Sequence, residues 1–184
     1  PYIPGSSLKG KMRSLSEVAL GKVDSSGNTH QCKDAECPVC RIFGNTQDTD
    51  YGPTRLVVRD ALLNRPKTRE NLKQLVENFA PREIFEEKYE NTIDRIKGTA
   101  TNPRLIQRVV PGAVFDLEIL YKVYDVDGDG GETDERLFAN VKMALELIEH
   151  DYLGGSGSRG SGQVEIQLDE PQIVDPAKMI AGGE

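Results

Sequence analysis

The sequence predicts an α+β domain of the ferredoxin-like (RRM-like) kind, with a first strand that is not visible in it. Three observations point there. Leu8, Met12, Leu15 and Ala19 are spaced four, three and four apart, which puts them in one stripe on a helix. Over residues 114–126, Phe115, Leu117, Ile119, Tyr121 and Val123 fall on one side of a half-buried strand. Over residues 137–152, Val141, Ala144, Leu145 and Ile148 share one helical face.

The remaining elements fit between these. Ser6 or Ser7 can cap the first helix, and Gly21 is placed to end it. Lys9 and Arg13 are four apart and share a face off the apolar stripe. A polar loop follows, then a strand at Arg55-Leu-Val-Val-Arg59 and a short helix over 71–79. Residues 91–110 are rich in Thr, Asn and Arg, with Asn102-Pro103 as a turn signal. A glycine-rich loop over 154–162 leads into an alternating strand, Val164-Glu-Ile-Gln-Leu168. The ferredoxin order also needs a strand before the first helix. Pro1-Tyr2-Ile3-Pro4 reads instead as the middle of a loop, so that strand is expected upstream of Pro1. No internal repeat or linker divides the chain, and residues 1–184 read as one domain.

Composition bounds the function. The 184 residues include no Trp, 18 Gly and 10 Pro, which implies an aliphatic core and long loops. No apolar run approaches the roughly 20 residues that span a bilayer, and no signal-peptide pattern opens the chain. The net charge of −7 argues against a uniformly basic nucleic-acid binder. Positive charge is local, however: Lys9, Lys11 and Arg13 lie together, as do Arg95 with Lys97, and Arg104 with Arg108. Acidic residues dominate over 125–135.

Three segments carry chemistry. His30, Cys32, Cys37 and Cys40 form H-x-C-x4-C-x2-C, four ligands within eleven residues that can enclose one tetrahedral Zn2+. Such a site is closed and therefore structural, and clustered thiols fit a reducing cytoplasm. Asp125-Val-Asp-Gly-Asp-Gly130 mimics the start of a calcium loop, but Arg136 stands where a bidentate Glu is required, so it reads as an acidic connection. The third segment is the glycine loop, where Gly154, Gly155, Ser156, Gly157, Ser158 and Gly160 surround Arg159. Glycines let successive backbone N–H groups face an anion, and Arg159 adds a bidentate phosphate contact.

Together these residues resemble a known family. Pro4-Gly-Ser-Ser-Leu-Lys-Gly-Lys-Met-Arg13, Arg41-Ile-Phe-Gly44, Arg55-Leu-Val-Val-Arg-Asp-Ala61, Glu90-Asn-Thr-Ile-Asp-Arg95, Asn102-Pro-Arg104 and Asp151-Tyr-Leu-Gly-Gly-Ser-Gly-Ser-Arg-Gly160 are similar to the repeated backbone subunit of the CRISPR type III-A Csm complex. That subunit belongs to the RAMP superfamily. The resemblance implies copies of the chain in a filament along a guide (CRISPR) RNA, beside other Csm subunits and a target RNA. It implies guide contacts from Ser6, Ser7, Lys9, Lys11, Arg13, Arg55 and the glycine loop. Residues 83–112 would form a β-hairpin thumb, with Arg95, Asn102 and Arg104 on RNA, and residues 22–50 a zinc-binding loop insertion. It further implies target cleavage with Mg2+ or a similar divalent metal. The Asp for that step is expected in a loop upstream of Pro1, so the chain as given is expected to bind RNA without cutting it. Ser161 stands where the family often has an aromatic, and Gln163 where it often has a basic residue. Alternative readings are a non-catalytic scaffold, a RAMP ribonuclease that processes precursor guide RNA through a His, and a small zinc-binding interaction domain. His30 and His150 are the two His residues available.

Overall fold

A computed structural model describes residues 1–46, 52–75 and 84–175. Two helices carry the core. Helix α1 (Gly5–Ala19) and the long C-terminal helix pack on each other through Leu8 and Met12 on one side and Val141, Ala144, Leu145 and Ile148 on the other. Both stripes are those the sequence predicts, except that Ala19 is exposed.

The start of α1 departs from expectation. A two-residue strand, β1 (Tyr2–Ile3), precedes it where the sequence reads as loop. Ser6 and Ser7 lie inside the first turn and cap nothing; the Gly5 N–H donates instead to Asp60 Oδ1 at 2.8 Å. The carboxylate thus satisfies a helix N-terminal donor from 55 residues away. Close approach makes this possible, since a Cβ on Gly5 would lie 2.2 Å from the Val58 carbonyl oxygen. Gly5→Ala is therefore expected to cost about 1–3 kcal/mol, or more if the helix must shift. Urea unfolding checks this, and an unchanged midpoint would refute the contact.

Helix α2 (Pro38–Phe43) ends the cysteine loop and wedges Val39, Ile42 and Phe43 into the core. Strand β2 (Leu56–Val58) follows, then β3 (Ala61–Leu63) and α3 (Arg65–Leu75). Helix α3 starts earlier than predicted, and residues 76–79 of that prediction lie outside the described residues. Strands β4 (Phe85–Ile93) and β5 (Ala100–Val109) form an antiparallel hairpin.

The single strand expected over 114–126 is split. Strand β6 (Phe115–Asp116) pairs with β3, and β7 (Ile119–Tyr121) pairs with β2. Burial alternates as predicted from Phe115 to Tyr121, while Val123 is exposed. Between Val58↔Ile119 and Leu62↔Asp116 the chain advances four residues on one side and three on the other. The extra residue falls between the two pairings, over 59–61, where Asp60 accepts the Gly5 N–H at the start of α1. The described strands form three small sheets, β1-β3-β6, β2-β7 and β4-β5.

Helix α4 (Glu132–Glu149) begins five residues before the predicted start. Asp129 explains the extension, accepting the Gly131 N–H on Oδ1 and the Thr133 N–H on Oδ2, each at 2.8 Å. The Thr133 hydroxyl and these N–H groups pull the Asp129 carboxyl down to about 2. Asp125 accepts the Gly130 N–H at 3.0 Å, so the acidic segment is a helix-start connection. Residues 164–168 are not in a sheet. Val164 and Ile166 still pack on the core, and the Ile166 N–H bonds to Glu149 Oε1 at 2.6 Å in place of a strand neighbour. No helix among the described residues is long and apolar enough to cross a membrane.

Candidate nucleic-acid interface and metal centre

Three segments far apart in sequence meet on one surface. Lys11 on α1 lies 2.6 Å from Asp151 and 4.0 Å over the Tyr152 ring, which ties α1 to the entrance of the glycine loop. Gly157 packs flat on that ring, where a Cβ would lie 2.0 Å from it, so a larger residue would push the loop off Tyr152. Within the loop, Gly157–Arg159 form one 3-10 turn flanked by left-handed Ser156 and Gly160. Arg159 Nη1 then reaches Glu90 Oε2 on β4 at 2.6 Å, and Lys88 Nζ donates to the Arg159 carbonyl at 3.4 Å. Helix α1, the glycine loop and the hairpin are therefore joined. An open cleft of about 450 Å³ runs between the end of α4 and the loop, lined in part by His150, Tyr152, Ser158 and Gln163.

The predicted phosphate-binding residues fall into two groups. Ser6, Ser7, Arg95, Asn102, Arg104, Gly154, Gly155, Ser158 and Arg159 are exposed, and Lys11 is partly so. Lys9 is half-buried, and its Nζ donates to the Leu56 carbonyl at 2.7 Å. Burial, helped by the Arg13 charge, lowers its pKa. Arg55 is wholly buried. The expectation that Arg55 contacts RNA is corrected: its Nε donates to Asp134 Oδ2 at 2.7 Å in the core. Arg13 is also turned inward, and its guanidinium is spent on the cysteine loop, as described below.

In the hairpin, the Asn102-Pro103 turn signal lies inside β5, and the reversal spans residues 94–99. Asp94 Oδ1 organises that reversal by accepting the Ile96 and Lys97 N–H groups. Asn102 takes φ +52°, and from Glu90↔Arg104 to Thr92↔Thr101 β5 advances three residues against two on β4. The dipeptide makes a bulge, a second use of turn-forming residues. Phe85, Tyr89 and Leu105 remain exposed on the hairpin.

His30, Cys32, Cys37 and Cys40 converge as their spacing predicts, with all ligand atoms within 4.8 Å of one another. They are the one group of three or more such residues among the described residues that could hold a metal ion. Tetrahedral zinc with bonds of about 2.3 Å to sulfur and 2.0–2.1 Å to nitrogen needs S···S near ~3.8 Å and S···N near ~3.6 Å. Cys32 and Cys40 Sγ are 3.8 Å apart, and Cys37 Sγ is 3.5 Å from His30 Nε2, so the residues fit a closed four-ligand cage. Burial pushes the Cys40 thiol up to about 12, so a bound cation must displace a proton there. Residues 47–50 of the predicted insertion lie outside the described residues.

Arg13 and Glu17 on α1 grip this loop. Arg13 Nη2 donates to the His30 carbonyl at 2.6 Å and Nη1 to the Gly44 carbonyl at 3.1 Å. Glu17 Oε1 accepts both Arg13 Nε–H at 2.9 Å and the His30 N–H at 3.0 Å. On the other side, Asn45 Nδ2 donates to the Cys32 carbonyl at 2.7 Å.

Sequence reasoning missed Asp134. It accepts Arg41 Nε at 2.5 Å, Arg55 Nε at 2.7 Å and the Tyr124 N–H at 3.0 Å, while Tyr121 donates its hydroxyl to the Asp134 carbonyl at 2.7 Å. Arg41 also reaches Asp127 at 2.6 Å and the Ala35 carbonyl at 3.1 Å. A signal was present: Asp134 occupies a position on the apolar stripe of α4, with Leu137, Val141 and Ile148.

The RAMP superfamily profile matches residues 1–165. The chain is 40% identical over 183 residues to a protein of Methanothermobacter thermautotrophicus named CRISPR system Cms endoribonuclease Csm3, covering 91% of this chain and 67% of that one. It is 41% identical over 167 residues to the protein of the same name from Streptococcus thermophilus, covering 91% and 69%. A chain in a solved type IV-B CRISPR complex superposes with a TM-score of 0.53 at 18% identity, over 94% of this chain and 78% of that one. That likeness bears on the fold alone.

Proposed function

The chain belongs to the RAMP superfamily and to its Csm3 branch, and from that premise we propose that it is a guide-RNA-binding backbone subunit of a type III-A CRISPR complex. One observation carries this reading: Lys11–Asp151 and Arg159–Glu90 join the helix, the glycine loop and the hairpin into one surface. Both pairs are partly open to solvent, so an RNA phosphate can compete with either carboxylate for its cation. Ser6, Ser7, Lys9, Lys11 and residues 154–160 hold the guide backbone. Arg95, Asn102 and Arg104 on the hairpin, acting as a thumb, meet the guide–target duplex. Copies of the chain follow one another along the guide, next to other subunits, in the cytoplasm.

The order β1, α1, the β2–β3 stretch, the β6–β7 stretch, α4 and the extended 164–168 segment supports a ferredoxin-like core with the hairpin inserted in its middle. The Cys/His cage takes one structural Zn2+, and its closed geometry leaves no open position for chemistry. Target RNA cleavage with Mg2+ or a similar cation is part of the proposal; the relatives' name supports endoribonuclease activity and is silent on the metal and the strand cut, and no described residue is assigned to that step.

Binding of the chain to RNA of arbitrary sequence, measured across a salt series, tests the reading. Affinity should be indifferent to sequence and fall with salt, because phosphates dominate the contact. The double variant Lys11→Ala with Arg159→Ala should flatten the log–log salt slope by up to about two units. Sequence-specific binding, or an unchanged slope in the double variant, would place the grip elsewhere. A target strand added with Mg2+ to the same guide-loaded protein reads out cutting.

A further inference from the structure

Arg13 lies in the segment that the family resemblance assigns to the guide, yet the structure commits its guanidinium to the cysteine loop. The side chain is 18% exposed, and its Nε, Nη1 and Nη2 donate to Glu17, Gly44 and His30. The His30 peptide is held from both sides by one ion pair. Its carbonyl accepts from Arg13 at 2.6 Å, and its N–H donates to Glu17 at 3.0 Å. The pair is itself an i,i+4 contact on α1, the helix whose opposite stripe packs on α4. The frame that fixes His30 is therefore the rigid helix and not the loop.

We propose that Arg13 and Glu17 are positioning residues of the metal centre, which set the backbone of the ligand His30 so that Nε2 meets the three cysteine sulfurs. This rests on the metal reading above and corrects the guide-contact role for Arg13. The chemistry favours it over a phosphate contact. All three nitrogens of this guanidinium already donate, to two carbonyls and a carboxylate, so a bidentate grip on a phosphate would compete with these contacts on a side chain that is 18% exposed. Glu17 beside it, buried to 8% exposure, would also repel one. Groups that orient metal ligands commonly change metal affinity by about 10- to 100-fold when removed.

The same geometry couples two parts of the protein. Lys11 on α1 faces the glycine loop, and Arg13 and Glu17 face the metal loop. One helix thus carries both, with the side chain that faces the glycine loop in its N-terminal half and the grip on the metal loop in its C-terminal half.

The experiment is a competition between the full chain and a chelator of known zinc affinity, with Co2+ loading as a second readout. Arg13→Ala and Glu17→Ala should weaken zinc binding by about 10- to 100-fold. They should also shift the visible ligand-field bands of the Co2+-loaded chain. Ser14→Ala, an exposed neighbour on α1, should leave both readouts unchanged. If either alanine variant fails to fold, Glu17→Gln decides: it keeps an acceptor for the His30 N–H, loses the charge on Arg13, and should bind zinc more weakly than the unaltered chain. Unaltered zinc affinity and Co2+ bands in Arg13→Ala, with an RNA salt slope reduced by about one, would overturn the proposal and return Arg13 to the guide. An unaltered chain that takes up no stoichiometric zinc would overturn the metal reading itself, and the proposal with it.

Discussion

Asp134→Ala is expected to cost about 3–5 kcal/mol, the class of loss that follows when one partner of a buried ion pair is removed. Against a typical total of about 5–15 kcal/mol, that leaves a chain at the edge of folding. The reason is the company it keeps: Arg41 and Arg55 are 1% and 0% exposed and both donate to this carboxylate. Without it, two guanidiniums sit in the core with Asp127 as the remaining carboxylate on Arg41. Urea unfolding measures the loss, and a change below about 0.5 kcal/mol, the scatter of ordinary surface substitutions, would refute the clamp. Acid has the same effect more gradually. Burial by itself would raise the Asp134 carboxyl, but hydrogen bonds from Arg55, the Tyr124 N–H and Arg41 outweigh it and hold it below the ordinary value. The folded state therefore releases this proton more readily than the unfolded state, whose value is near ~3.9. Its stabilisation is fully present above about pH 4 and is lost as pH falls through the folded value.

Removal of the proposed Zn2+ is the second large effect expected. Chelation, or Cys40→Ser, is expected to cost about 3–5 kcal/mol, since loss of a structural metal ranks among the largest single effects. For a chain of this size that corresponds to a fall in Tm of about 6–20 °C. The size follows from what the cage holds in place. Cys37 and Cys40 bracket the start of α2, and Val39, Ile42 and Phe43 of that helix are core residues. Releasing the cage frees a wedge of the core along with the surface loop. Calorimetry with elemental analysis before and after chelation checks this, and zinc loss without a change in Tm would refute it.

The parts legible in the sequence were those set by local rules. Periodicity gave the stripes of α1 and α4, and ligand type and spacing gave the Cys/His cage. The misses came from partners distant in the chain. Gly5 is capped by Asp60, and no nearby residue announces it. The Asn102-Pro103 signal is real as backbone chemistry, but a register change in a hairpin uses the same left-handed φ as a turn. Val164 to Leu168 alternates because one side meets the core, and alternation does not require a neighbouring strand. Arg55 is the most instructive, because the local sequence does not reveal whether an Arg points outward or toward a buried acid. Asp134 was readable in principle as a charge on an apolar stripe, a position that demands a cation.

The hairpin closes at its base through the Val110 N–H and the Ile84 carbonyl, 3.0 Å apart, and returns the chain to almost the point it left. An excursion of that kind is free to change length. Adding a pair of residues to each strand moves the tip outward by about 7 Å, while doubling the enclosed segment adds only about 0.6 kcal/mol of closure entropy. Reach can therefore vary between descendants of this sequence without renegotiating the core, provided residues are gained in matched pairs so that the two faces keep their identity.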